Sequence, residues 1–245
     1  MKATSIEFRL RLLILLALYF LGFYAPWLRF GAVAPTTTAW LALSTTLARW
    51  NWLPLDQASL LITGLAVLCA LTGAALRLCG TAFLGASVVH AGAMKAGQVM
   101  AAGPYRFVRN PLYLGSWILS LGIAFLMPPS GAVVFIVLEG VFYFRLILGE
   151  EAFLAAQQGD AYLEYCRRVP RLMPSLGPRI PSSDTRPQWL TALAAEIFPV
   201  LYAVCLAALA WRYNPMLLIR CLLVTFGLSL VTRALLPKGE APPAA

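Results

Sequence analysis

The sequence predicts an all-α fold, a polytopic transmembrane helical bundle of about six spans with the N and C termini cytoplasmic. Composition is the first reason. Of 245 residues, 60% are hydrophobic and 12% charged, against roughly 25% charged in a soluble domain. Too few polar side chains remain to cover a water-facing surface, so lipid is the expected solvent. The second reason is a series of uncharged stretches near the roughly 20 residues that a crossing helix needs. The third is the placement of the cations. With six spans drawn, 15 of the 19 Lys and Arg fall on the side of the N-terminus, as cytoplasmic retention of cations requires.

The same composition excludes disorder, which needs low hydrophobicity, and a disulfide scaffold, since five cysteines are ordinary usage at this length. The net charge of +9 is scattered between apolar stretches. No basic helix is interleaved with exposed aromatics, so the expected partner is an anionic lipid surface rather than nucleic acid. The cysteines lack ligand spacing and histidine companions, so no metal centre is expected.

Taken in order, residues 12–28 form the first uncharged span, with Trp27 as an interfacial anchor, and a cleavable signal is not expected there. Residues 57–76 form the second, bounded by Asp56 and Arg77. Residues 110–138 are too long for one crossing and are cut by Pro128, Pro129, Ser130 and Gly131. They read as a tight hairpin with arms 111–127 and 132–148. A second hairpin joins 189–211 to 215–236 through Tyr213, Asn214 and Pro215. Two further uncharged stretches, 30–48 and 78–94, carry Pro35 with a Thr run and many Gly and Ala respectively. They are expected to be interfacial or re-entrant.

Unusual polarity gathers in 78–110 and 149–188. In the first, Gly103-Pro104 makes a turn, Asn110 is a preferred N-cap and Pro111 suits the first helical position. A helix beginning after Arg109 would present free N–H groups and the positive end of its dipole, with Arg106 and Arg109 beside it, to an anion such as a carboxylate. Asn110, Tyr113, Leu114 and Trp117 then share one face. In the second, Glu150 and Glu151 follow the other hairpin arm. Adjacent acids at a helix C-terminus oppose the dipole and each other, so a compensating group is expected. A short hairpin would bring Arg109 and Asn110 beside them, either to grip a zwitterion or to form a salt-bridged structural cap.

The run from Gly103 to Gly115, then Glu150-Glu151, the Tyr162 and Tyr165 pair and the exit Val169-Pro170-Arg171, resembles the isoprenylcysteine carboxyl methyltransferase family and its phospholipid methyltransferase relatives. The resemblance covers about 76–174. It implies an integral-membrane enzyme that uses S-adenosylmethionine, held in a cytoplasmic-face pocket over the helix ends, to methylate a membrane lipid or lipidated acceptor. It places Tyr105, Arg109, Asn110, Pro111, Tyr113, Gly115, Glu150 and Glu151 on cofactor-pocket positions, and Tyr162, Tyr165 and Arg168 on the segment that closes the pocket. Many members carry His where this chain has Asn110, so a role needing imidazole is lost.

Of these residues, Arg109, Glu150, Glu151 and Arg168 are the catalytic candidates: Arg168 to orient a carboxylate acceptor, the acids to take a proton from an amine. The expected organisation is N-terminal helices with an external loop (1–75), a methyltransferase core (76–174), a linker (175–188), and a C-terminal hairpin with its tail (189–245). His90, the single histidine, is expected to be structural. Glu139 and Glu196 fall inside spans, with Arg145 and Arg220 as candidate partners. If those four lined one polar path, the chain would instead be a small transporter-like protein. An inactive scaffold of the same fold is the other alternative.

Overall fold

Proline and glycine positions set the helix boundaries in the computed structural model, which describes residues 2–24, 37–85, 102–183, 185–212 and 215–235. Among the described residues all regular structure is helical: α1 (Ser5–Arg9), α2 (Arg11–Tyr24), α3 (Ala39–Arg49), α4 (Leu55–Leu84), a 3-10 turn (Gly103–Arg106), α5 (Pro111–Ala124), α6 (Pro129–Gln158), α7 (Asp160–Arg168), α8 (Trp189–Ala195), α9 (Ile197–Arg212) and α10 (Pro215–Leu235). His90, most of the 78–94 stretch and the turn at Tyr213 and Asn214 lie outside them.

Among the described residues two helices, α4 and α6, are long and apolar enough to cross a membrane. At 30 residues each they extend about 45 Å, against a hydrocarbon core of about 30 Å. A third crossing is possible by length if α8 and α9, bent by 70°, count as one span. The bend follows from Pro199, which lacks an N–H and crowds the carbonyl four residues back, at Ala195. The count of six spans is therefore not reached among the described residues, where α2 and α5 are shorter apolar helices.

The central hairpin forms where the prolines demand it. α5 ends at Ala124, short of the expected 127, and α6 starts at Pro129. The turn's carbonyls are taken up by the start of α3: the N–H groups of Ala39 and Trp40 donate to Met127 and Phe125 at 2.7 and 2.9 Å. Residues 30–36 of the stretch expected to be interfacial or re-entrant lie outside the described residues. α3, 11 residues long, sits with its first turn on the hairpin turn. α4 overruns its expected end at 76 and continues to Leu84, so Arg77 lies in the body of a helix rather than in a loop.

α4 and α5 approach closely enough to exclude side chains. A Cβ on Gly73 would stand 2.5 Å from the Gly115 carbonyl oxygen, and one on Gly122 would stand 2.9 Å from that of Ala66. Ala66, Ala70 and Ala74 complete a small-residue stripe on α4, the pattern by which helices pack in lipid without a hydrophobic driving force. Gly73→Val is expected to destabilise the protein by about 1–3 kcal/mol, the usual cost of overpacking. Thermal unfolding in detergent would read this as a lowered midpoint.

α2 packs along α6. Gly149 faces Ala3 at one end, and Gly131 faces the Gly22 backbone at the other. The N-terminus therefore lies at the same end of the hairpin as Glu150 and Glu151.

Candidate functional site

Gly103 opens the site-bearing turn with φ +53, a left-handed conformation that favours glycine. A Cβ there would run into the Phe83 ring. The chain then passes Tyr105 and Arg109 and enters α5 with Pro111 in its first turn. An extended segment lies against this turn: the Arg109 N–H donates to the Pro170 carbonyl at 2.9 Å, that of Ser175 to Phe107 at 3.0 Å and that of Arg179 to Arg106 at 2.9 Å. Arg106 also donates through Nε to the Ile180 carbonyl at 2.9 Å. The first part of the stretch expected as a linker, as far as Ile180, thus packs on this turn, and Arg106 braces it.

Glu151 stands at the centre. Its Oε1 accepts from Asn110 Nδ2 at 3.1 Å and lies 3.4 Å from Arg109 Nη1. Its Oε2 accepts from Arg171 Nε at 2.9 Å, with Arg171 Nη2 at 2.8 Å. The expected juxtaposition of the Asn-Pro junction with the acidic pair is present. Two details differ from expectation. Asn110 holds the N-cap position but makes no side-chain cap; its amide bridges Glu151 and the Arg171 carbonyl instead. The acids do not sit at a helix end, because α6 runs on to Gln158.

Glu150 faces elsewhere, since successive residues point about 100° apart around a helix. The Tyr113 hydroxyl hydrogen-bonds its carboxylate. Buried Tyr105, Tyr162 and Tyr165 surround the cluster. The Tyr162 and Tyr165 rings lie 5.8 Å apart, and the Tyr165 hydroxyl donates to the Tyr105 carbonyl at 2.9 Å. Burial pushes all three phenols above their ordinary range, so near neutral pH they are uncharged hydrogen-bonding groups. Arg171 is held in its charged form by its hydrogen bond to Glu151.

Two buried polar atoms in this region have no partner, Tyr105 Oη and Arg109 Nε. Close by, Tyr113, Leu114 and Trp117 share a face, while Asn110, expected on it too, turns its amide to Glu151. With Val137, Val141, Phe144 and Leu172 among its other walls, that face lines an apolar groove of about 290 Å³ between α5 and α6.

Several expected residues lie elsewhere. Gly115 serves the crossing with Gly73 and does not meet the cluster. Pro111 is buried as the start of α5 and offers no polar group. Arg168 is exposed and donates through Nε to Glu164 at 2.8 Å, so it turns away from Glu151. Arg171, three residues on, is the cation of this segment that reaches Glu151. Its only sequence signal was membership of the Val169-Pro170-Arg171 exit, because an extended segment has no periodicity from which to read a facing side chain.

The intramembrane acids also choose other partners. Glu196 accepts from Arg77 in a fork, Nε to Oε2 at 2.7 Å and Nη2 to Oε1 at 2.9 Å, and from Thr81 at 2.8 Å. Glu139 accepts from Ser120 at 2.8 Å. Arg145 pairs with Glu7 at 2.8 Å, and Arg220 is exposed. The four charges do not form the single path that a transporter-like reading needed.

No curated protein and no solved structure matches the chain. Residues 61–161, which hold the small-residue crossing, the Gly103 turn, the hairpin and both acids of the cluster, match the model of the phospholipid methyltransferase family, and in this segment the chain is similar to the methyltransferases of that family.

Proposed function

We propose that the protein is an integral-membrane methyltransferase that takes its methyl group from S-adenosylmethionine and passes it to a lipid amine reached from the bilayer, with the site at the cytoplasmic face. The observation that carries this reading is the pair of unpartnered buried atoms, Tyr105 Oη and Arg109 Nε. A purely structural salt-bridged cap would satisfy its buried donors, whereas a site leaves some for a ligand.

The residues present fit such a donor. Arg109 and the first turn of α5 suit a carboxylate. Glu151 suits an ammonium or ribose hydroxyls. The faces of Tyr105, Tyr162 and Tyr165 suit a cation or a flat base. When bound, S-adenosylmethionine supplies a methyl group on a positively charged sulfur, an already activated leaving group. The protein's part is then to position the partners and exclude water.

The apolar groove between α5 and α6 supports an acceptor of lipid character. Val137 and Val141 on its wall are exposed on the outside of the bundle. Its polar end is Tyr113, which bonds Glu150. An acyl chain lying in the groove would bring its headgroup to that end, where Glu150 can accept the proton an amine sheds. Arg171, 5.8 Å over the Phe144 ring at the same wall, would face a headgroup phosphate.

The test is incubation of the detergent-purified chain with methyl-labelled donor and a total lipid extract. Labelled lipid amine is expected with the wild type and none above background with Arg109→Ala. A wild type that labels no lipid contradicts the reading.

A further inference from the structure

The chain ahead of the matched region is fastened to α6 at several points. Thr4 and Glu7 cap α1 reciprocally, the Thr4 N–H donating to Glu7 Oε2 at 2.7 Å and the Glu7 N–H to Thr4 Oγ1 at 3.2 Å. Arg145 of α6 donates through Nη2 to both Glu7 oxygens, at 2.8 and 2.9 Å. The Ala3 N–H donates to the Arg145 carbonyl at 3.0 Å. A Cβ on Gly149, the residue before the acidic pair, would stand 3.7 Å from the Ala3 Cβ. Phe8 is buried against Phe142, Tyr143 and Leu146, with Tyr113 at the edge of that cluster. These contacts fix the start of α2, where the Arg11 guanidinium lies 4.4 Å from the centre of the Phe8 ring.

We infer that this N-terminal helix is part of the catalytic site, and that Arg11 is a positioning residue for the Glu150–Tyr113 pair at the end of the acceptor groove. The inference rests on the methyltransferase reading above. Its physical basis is the division of labour between adjacent acids. Glu151 is compensated by Arg109, Asn110 and Arg171. Those groups bond the Glu151 carboxylate and not that of Glu150, so Glu150 needs a cation of its own if it is to stay oriented beside an apolar groove. The Arg11 guanidinium rests on the Phe8 ring, and Phe8 packs with Tyr143 and Leu146, one turn before Glu150, with Tyr113 against the same cluster, so the arginine's charge is carried to the end of α6 where Glu150 and Tyr113 stand. Seating its planar guanidinium on the Phe8 face fixes that charge in direction as well as distance. α1 is then the device that carries Arg11 to the site from outside the matched segment.

The test uses the full-length chain in detergent, with donor binding followed by calorimetry and transfer by labelled lipid. Arg11→Gln is expected to lower transfer roughly tenfold and to shift its pH profile, while the donor Kd changes by less than about threefold. Arg11→Lys should recover part of the rate, since it restores the charge without the planar stack. Arg11→Gln combined with Glu150→Gln should be no slower than Glu150→Gln alone, because the two act as one unit.

Docking of α1 is checked separately with Ala3→Cys/Gly149→Cys, whose Cβ separation suits a disulfide. The cross-link should form equally well with and without Arg11→Gln. Transfer at the wild-type rate and pH profile in Arg11→Gln overturns the inference, as does additivity with Glu150→Gln. Loss of the cross-link in Arg11→Gln also overturns it, because the arginine would then only hold the helix down. A wild type that neither binds donor nor labels lipid removes the methyltransferase reading and this inference together. A wild type that labels, with Arg11→Gln unaffected, removes the inference alone.

Discussion

Glu151→Ala is expected to weaken donor binding by at least about a hundredfold and to abolish methyl transfer. The carboxylate is buried at 8% exposure and is the shared anion of Arg109 and Arg171. Removing it leaves two guanidiniums facing each other without a counter-ion, and breaking a buried pair costs about 3–5 kcal/mol. Part of that cost falls on the site's geometry, because Asn110 Nδ2 and the wall at Pro170 and Arg171 are held through the same cluster. At about 1.4 kcal/mol per factor of ten, a hundredfold loss needs only the lower end of that range. Arg168→Ala is the matched control. Its side chain is exposed and paired with Glu164 one turn away on α7, so donor affinity should stay within about a factor of two. Calorimetric titration of both variants decides the matter, and full-strength binding by Glu151→Ala would remove Glu151 from the site.

The second large effect is on stability. Glu196 is fully buried and forked by Arg77, with Thr81 as a further donor. Arg77 also donates to Ser116 of α5 at 2.5 Å. This group ties α4 and α5 to the 70° break between α8 and α9, and so joins the C-terminal helices to the matched segment. Glu196→Ala is expected to destabilise the protein by about 3–5 kcal/mol, because it strands a largely buried guanidinium within the helix bundle without its counter-ion. Arg77→Met/Glu196→Met should be less destabilised than Glu196→Ala, since an apolar pair of similar reach removes the stranded charge. Unfolding midpoints of the two variants in one detergent provide the comparison. Equal loss in both would show that the pair contributes geometry rather than charge compensation.

Much of the site was legible before any coordinates, for identifiable reasons. Pro128 and Pro129 can only break a long apolar run, so the hairpin and the meeting of its two ends followed from the chain itself. Gly103-Pro104 and Asn110-Pro111 mark a turn and a helix start wherever they occur in such a context. The pair Glu150-Glu151 demanded compensation on electrostatic grounds alone, and the structure supplies it. Errors arose where a charge was taken to end a helix. Arg77 was read as a boundary, but a buried acid more than a hundred residues away neutralises it, and α4 continues to Leu84. The acids were likewise read as the end of α6, which carries on to Gln158. The resemblance put Arg168 on the closing segment and named Arg171 only as part of the exit after it. Only the path of the chain leaving α7 at Val169 shows which of them turns inward.

The amino-acid order by itself determined a lipid-facing helical protein, the place of its central turn-back and the two polar segments that meet at one end of it. These follow from local rules: hydropathy, the fixed φ of proline and the charge of neighbouring side chains. Tertiary structure alone decided the partners: Arg171 and Asn110 for Glu151, Tyr113 for Glu150, and Arg77 for Glu196. Each pairing depends on how far one helix is rotated against another and on the route of an extended strap. Neither leaves a periodic trace in the sequence, because ion pairs between distant segments are set by packing rather than by spacing.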